Sequence, residues 1–294
     1  MNISRAPLFV IGNPRSGTTL LRLILAVHEN ITIPPECGFI VWLHDKYHAW
    51  SISDSMSDAM RVSFVSDLML SKKFDTWGVC ASAIDAFIRD GQPASYADLC
   101  AMVYYAYASV QGKRTVIWGD KNNFHVNHLG LLAELFPCAR YLNIVRDGRD
   151  VLCSYREVMA NPSNSPYSPR LDVDVQKVSR EWARNVIMVR NFLLDVSPAQ
   201  AKTVRYEDLV ATPDVLVNDV CNWLGVQYSG SLLSFNTINK LKALEPKKTM
   251  DWKRRTLEPI SAATVGRYKN ELSENEVEAF ISAGREPLEI YGYI

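Results

Sequence analysis

Gly12-Asn-Pro-Arg-Ser-Gly-Thr-Thr19 constrains the fold of this chain more than any other stretch. It follows a short apolar run, Ala6-Pro-Leu-Phe-Val-Ile11. It precedes residues 18–28, where Leu20, Leu21, Leu23, Ile24 and Leu25 supply the buried side of a helix. The apolar run suits a strand covered on both faces of a parallel sheet. Strand, glycine loop, helix is the opening of a nucleotide-binding α/β unit. The two glycines keep the spacing of the phosphate loop G-x-x-x-x-G-K-[ST], but Thr18 stands at the lysine position. Such a loop turns backbone N–H groups inward at a helix N-terminus and binds phosphate-like anions. Ser16, Gly17, Thr18 and Thr19 are its binding residues, and Arg15 adds a charge that deprotonation cannot remove. An ATP-type loop uses its lysine on the terminal phosphates, beside Mg²⁺. With Arg15 in that office, the loop suits a ligand with fewer charges at its transferable end and no metal.

The rest of the chain continues the βα rhythm. Strands are expected at residues 115–118, 141–145 and 203–206, and helices at 127–136 and 173–196. In the longer helix Val175, Val178, Trp182, Val189 and Val196 recur at roughly helical spacing. Thr212-Pro213-Asp214 reads as a helix start with proline at the first helical position, and Ser273 to Glu276 as a capping box. The predicted fold is α/β: a P-loop-like, mostly parallel sheet flanked by helices on both faces, in one domain over 1–294. Residues 39–110, rich in aromatics, Met and Ser, read as a helical insertion. Residues 161–170 carry Pro162, Pro166 and Pro169 and read as a loop. Segments of this kind form an acceptor pocket and a lid, or merely cover the sheet.

Composition narrows the function. The 294 residues hold 32 Lys+Arg and 32 Asp+Glu, a formal net charge of zero, which argues against a nucleic-acid partner held on a broad basic face. Hydrophobic residues at 48% exclude wholesale disorder. The six cysteines show no C-x-x-C and no zinc-type spacing, and read as reduced thiols of a cytoplasmic protein. Neither a signal peptide nor a membrane span is evident.

A second motif lies mid-chain. Tyr141-Leu-Asn-Ile-Val-Arg-Asp-Gly-Arg-Asp150 ends a strand at Val145 and leads to Ser154. Arg146 emerges at the strand's carboxyl end, the ligand edge of an open parallel sheet. Asp147 or Asp150 can cap the next helix, so Arg146 and Ser154 can grip a second phosphate; alternatively Arg146 pairs with Asp150.

Together the two motifs resemble the cofactor signatures of sulfotransferases that use 3′-phosphoadenosine 5′-phosphosulfate (PAPS), of the bacterial type similar to tyrosylprotein sulfotransferases. The resemblance runs from Pro7 to about Tyr293 and is specific at the two loops. It implies PAPS as sulfuryl donor and adenosine 3′,5′-bisphosphate as product. Arg15 to Thr19 then hold the phosphosulfate end, Arg146 and Ser154 the 3′-phosphate, and Tyr206 lies beside the adenine. Glu36, in Pro34-Pro35-Glu36, matches the catalytic glutamate, and Lys121 a catalytic lysine near the leaving group. The Pro-Pro-Glu sequence also resembles domains that sulfate hydroxyls of polyketide intermediates. The family's late loop brings a serine and a lysine to the cofactor. Here Glu258 falls near the lysine's place, no serine aligns, and Thr249, Lys253, Arg254 and Arg255 are the candidates.

The chemistry suits these residue types. Sulfuryl transfer needs in-line positioning and electrostatic stabilisation, and the group carries one negative charge fewer than a phosphoryl. An acceptor hydroxyl needs a base, for which Glu36 is the first choice and His28 the second, with His125 and His128 close to Lys121 in sequence. Competing classes are a P-loop nucleotide or metabolite kinase and a non-catalytic adenosine-bisphosphate-binding protein. For the acceptor pocket Trp42, Tyr47, Trp50, Trp77, Tyr104, Tyr105 and Tyr107 are available. The expected acceptor is a hydroxyl of a small metabolite or a glycan.

Overall fold

The computed structural model describes residues 6–294; residues 1–5 of the domain expected over 1–294 lie outside the described residues. The fold is α/β, a mostly parallel sheet flanked by helices. Its strands are β1 (Leu8–Ile11), β2 (Ile31–Thr32), β3 (Ile117–Lys121), β4 (Arg140–Val145) and β5 (Ala201–Arg205), in the order β2-β3-β1-β4-β5. The β1–β3, β2–β3 and β4–β5 ladders are parallel, with Leu8 opposite Gly119, Ile31 opposite Ile117 and Tyr141 opposite Ala201. Leu8 to Ile11 are fully buried, as an apolar strand covered on both sides requires. The edges are a two-residue strand and a half-buried one carrying Lys202 and Arg205, features that discourage pairing with foreign strands.

Contacts divide the chain into two compact units. The first holds the chain up to Val10 and Leu25–Arg140. Its insertion folds into short helices and three longer ones, Asp58–Leu70, Ala81–Gly91 and Tyr96–Val110. Their aromatic residues form the unit's own core. Tyr104 stacks on Trp118 with centroids 4.4 Å apart, and Phe39, Phe74 and Trp77 meet one another edge-on or tilted. This corrects the expected pocket lining: Tyr47, Trp50, Trp77, Tyr104 and Tyr107 are buried, which leaves Trp42 exposed and Tyr105 half-buried. The Lys113 ammonium ties the turn before β2, donating to the carbonyls of Ala26, His28 and Ile31.

The second unit holds Ile11–Ile24 and Tyr141–Ile294. The Thr18–Val27 helix follows the glycine loop and begins in this unit. The Gly148–Ala160, Val175–Asp195 and Glu274–Ile290 helices pack around Val145, Leu152, Trp182, Val186, Phe280 and Leu288. Asp147 caps the first of these, its Oδ1 accepting from Arg149 N at 2.9 Å. Pro213 opens the Pro213–Leu224 helix as expected, although the Thr212 hydroxyl donates to Asp208 O rather than capping it. The Ser273–Glu276 capping box is formed. Residues 161–170 are irregular.

Candidate active site

The glycine loop is built from unusual backbone. Gly12 has φ 153°, Gly17 φ 96° and Arg15 φ 67°. For arginine the left-handed region costs about 1–3 kcal/mol, a strain found mostly at functional sites. Ser16 N donates to Asn13 O at 3.2 Å and Leu21 N to Gly17 O at 3.0 Å, passing the loop into the helix. The Asn13 side chain moors the loop to two helices, donating to Tyr155 OH at 3.2 Å and accepting from Asn185 Nδ2 at 2.9 Å.

Gly17 lies against Tyr206. A Cβ there would come within 2.5 Å of Tyr206 Cδ2, on backbone that already disfavours a side chain. Gly17→Ala is therefore expected to cost about 1–3 kcal/mol, read as a lower urea midpoint. An unchanged midpoint would show that the ring yields freely.

Arg15, Ser154, Arg146 and Tyr206, all expected at the donor, converge here. Arg15 Nε donates to Ser154 Oγ at 3.1 Å, and Arg15 Nη1 to Trp252 O at 3.0 Å. Arg146 Nη1 donates to Arg15 O at 3.2 Å and Nη2 to Thr264 O at 2.7 Å. The Arg146 guanidinium lies 4.4 Å from the centroid of the Tyr206 ring, whose hydroxyl is 2.9 Å from Thr264 Oγ1. Burial, and then the neighbouring Arg146 charge, pull the Arg15 pKa down to about 10, so its guanidinium remains charged at neutral pH. Like charges held this close call for an anion. Among the described residues, Ser16 Oγ and Arg146 Nε are buried with no hydrogen-bond partner. Buried donors in that state are costly unless a ligand meets them. The residues present thus fit an anionic donor with more than one charged group.

Of the late-chain candidates, Arg255 bears on Arg15 through its charge, and Thr249 and Lys253 turn to Glu245. Thr249 Oγ1 and Lys253 Nζ both donate to Glu245 Oε1 at 2.6 Å, so their hydroxyl and ammonium serve a buried carboxylate. Arg255 donates to Glu157 at 2.8 Å, while Arg254 and Glu258 are exposed. The sequence reading missed Thr264 and gave Asp150 a different partner. Asp150 does not pair with Arg146; its carboxylate accepts from Gly266 N at 2.7 Å and Tyr268 N at 3.0 Å, fixing the segment that presents Thr264. Gly266, at φ 71°, was the available signal of a turn there.

In the first unit Glu36 is held by two lysines. Lys73 Nζ donates to Oε2 at 2.8 Å and Lys121 Nζ donates to Oε1. Lys121 closes β3 and is buried. Trp77 Nε1 donates to Pro35 O at 2.9 Å, pinning the Pro-Pro-Glu turn. Lys73, at φ 72°, went unnoticed in the sequence because nothing local marks it. His28 Nδ1 accepts from Asn30 N at 3.0 Å, as a helix-end residue. His125 is buried with Nε2 3.1 Å from Asp120 Oδ2, outside hydrogen-bond geometry, and Tyr104 OH donates to the same oxygen at 2.6 Å. His128 is half-buried beside the exposed Phe124 ring, and burial followed by His125 lowers its pKa.

Comparison with known proteins places this architecture. A model of the sulfotransferase family matches residues 7–230. Protein-tyrosine sulfotransferase 2 of Gallus gallus is 24% identical over 229 residues, covering 77% of this chain and 53% of the relative. Nodulation protein NoeE of Sinorhizobium fredii is 25% identical over 290 residues, covering 94% of this chain and 64% of that one. The chain thus spans about half the length of the vertebrate relatives it matches. The solved sulfotransferase domain from the curacin biosynthetic pathway shares the fold at TM-score 0.60 and 19% identity, over 94% of this chain and 96% of that domain. With strand, loop, helix and a family match over residues 7–230, this chain belongs to the sulfotransferase family.

Proposed function

We propose that this protein moves a sulfuryl group from PAPS to a hydroxyl of a small metabolite or glycan. The observation that carries the donor reading is the pair of buried, unpartnered donors, Ser16 Oγ and Arg146 Nε, beside a glycine loop with Thr18 in place of lysine. PAPS, when bound, supplies a sulfuryl group on a phosphate leaving group. The loop N–H groups, Ser16, Thr18 and Thr19 bind the phosphosulfate end, and Arg15 spreads positive charge over it. Arg146, with Ser154 close by, reads the 3′-phosphate, and Tyr206 borders the adenine. Glu36 takes the acceptor proton, and Lys121 offsets charge that builds on the leaving oxygen. The exposed Trp42 and Phe124, 6.1 Å apart, give an apolar acceptor a surface in the first unit.

The test uses sulfur-radiolabelled PAPS with panels of glycans, phenolic and aliphatic alcohols, and tyrosyl peptides, the last because the relatives include protein-tyrosine sulfotransferases. Label is expected on a glycan or small alcohol, in EDTA as in buffer, since Thr18 replaces the lysine that works beside Mg²⁺. Label confined to tyrosyl peptides would correct the acceptor. Transfer from γ-labelled ATP that depends on Mg²⁺, with none from PAPS, would replace the reading by a kinase.

A further inference from the structure

The Thr249 and Lys253 contacts draw attention to a carboxylate with no assigned part in the reaction. Glu245 is buried, with 2% of its side chain exposed, and is met from three directions. Arg22 Nη2 lies 2.5 Å from Oε2, and Lys253 Nζ and Thr249 Oγ1 lie 2.6 Å from Oε1. Its own N–H donates to Asn239 Oδ1 at 2.7 Å, and Arg22 also donates to Leu244 O at 3.1 Å. Burial works against its ionisation, yet Lys253 and then Arg22 hold its pKa down at about 2, so it is a carboxylate throughout the working range.

What these partners are attached to gives the contact its meaning. Arg22 stands on the helix that the glycine loop opens. Lys253 adjoins Trp252, whose carbonyl accepts from Arg15 Nη1. Between Glu245 and Lys253 the chain forms a short 3₁₀ helix, Lys247–Trp252, with Thr249 N on Pro246 O at 3.0 Å and Lys253 N on Met250 O at 2.9 Å. Glu245 therefore joins the loop's helix to the segment on which Arg15 rests. Without the carboxylate, Arg22 and Lys253 lose their shared counter-charge, and the segment presenting Trp252 O loses an anchor.

We propose that Glu245 is a positioning residue for the donor: through Lys253 and Arg22 it sets the Trp252 carbonyl that aims Arg15. This rests on the reading that Arg15 binds the phosphosulfate nucleotide. It also gives Arg15 a reason to hold its left-handed backbone, because its guanidinium is fixed at one end by Trp252 O and at the other by Ser154.

Calorimetry with adenosine 3′,5′-bisphosphate tests the coupling. Glu245→Gln is expected to weaken binding about tenfold in the natural background and less than about twofold in an Arg15→Ala background, since the effect passes through Arg15. The same loss in both backgrounds, or none in either, overturns the proposal. If Glu245→Gln does not fold, Thr249→Val removes the hydroxyl's contacts with Glu245 Oε1 and Pro246 O and keeps the buried charges. It is expected to weaken binding about threefold, again only when Arg15 is present. Thr249→Val binding as tightly as the natural protein overturns the proposal. A natural protein that does not bind the nucleotide overturns the donor reading and this proposal together, whereas binding with an Arg15-independent loss overturns this proposal alone.

Discussion

Glu36→Gln is expected to lower kcat about 10²–10⁴-fold while leaving the affinity for adenosine 3′,5′-bisphosphate unchanged. Glutamine keeps the size and the Trp77-pinned turn at Pro35, and removes only the basic oxygen. The lysine contacts sharpen the expectation. Lys121 and Lys73 hold the two oxygens in fixed directions, so the carboxylate is aimed before an acceptor arrives. The histidines offer no ready replacement. His28 Nδ1 is engaged by Asn30 N–H, and His125 is buried in the Asp120–Tyr104 cluster. A variant that keeps most of its kcat with its true acceptor and only unfolds at a lower temperature would make Glu36 a structural carboxylate.

Arg146→Ala carries the second large effect. It is expected to weaken adenosine 3′,5′-bisphosphate about 10- to 150-fold, the worth of a buried charged hydrogen bond of about 1.5–3 kcal/mol, and to weaken the 5′-monophosphate far less. Arg146 also supports Thr264 O and covers the Tyr206 ring, so alanine loosens that segment as well. Arg146→Lys separates the two duties. It keeps the charge but loses the planar fork, and should fall between the parent and the alanine variant. Equal losses for both nucleotides in calorimetry would show that Arg146 braces the loop and does not read the 3′-phosphate.

Local chemistry was legible in the sequence and distant partnership was not. The Gly12–Thr19 loop, the strand before Arg146, the proline at the start of the Pro213–Leu224 helix and the Ser273 capping box each announce themselves within a few residues. Strand β3 was expected at 115–118 and lies at Ile117–Lys121, because Gly119-Asp120-Lys121 reads as polar and loop-like. In the fold those polar groups are buried with partners, Tyr104 on Asp120 and Glu36 on Lys121, and a strand can carry them. The two-residue β2 is too short to leave a periodic signal. Lys73 reaches Glu36 across 37 positions and Glu245 reaches Arg22 across 223, separations at which spacing carries no information. The aromatic residues of 39–110 were visible as a group. Which of them would bury was decided by packing against Trp118 and one another.

The second unit has consequences for synthesis on the ribosome. It is assembled from Ile11–Ile24 and Tyr141–Ile294, so its first piece leaves the exit tunnel long before its second. Arg15 meets Arg146 across 131 positions and Ser154 across 139. At roughly 5–20 residues per second, the nascent glycine loop waits on the order of ten seconds for the groups that hold it. The wait lengthens to the end of the chain for Trp252 and Thr264. Throughout that interval the loop lacks the groups that hold it in the finished fold, and translation pauses between residues 24 and 141 lengthen the wait.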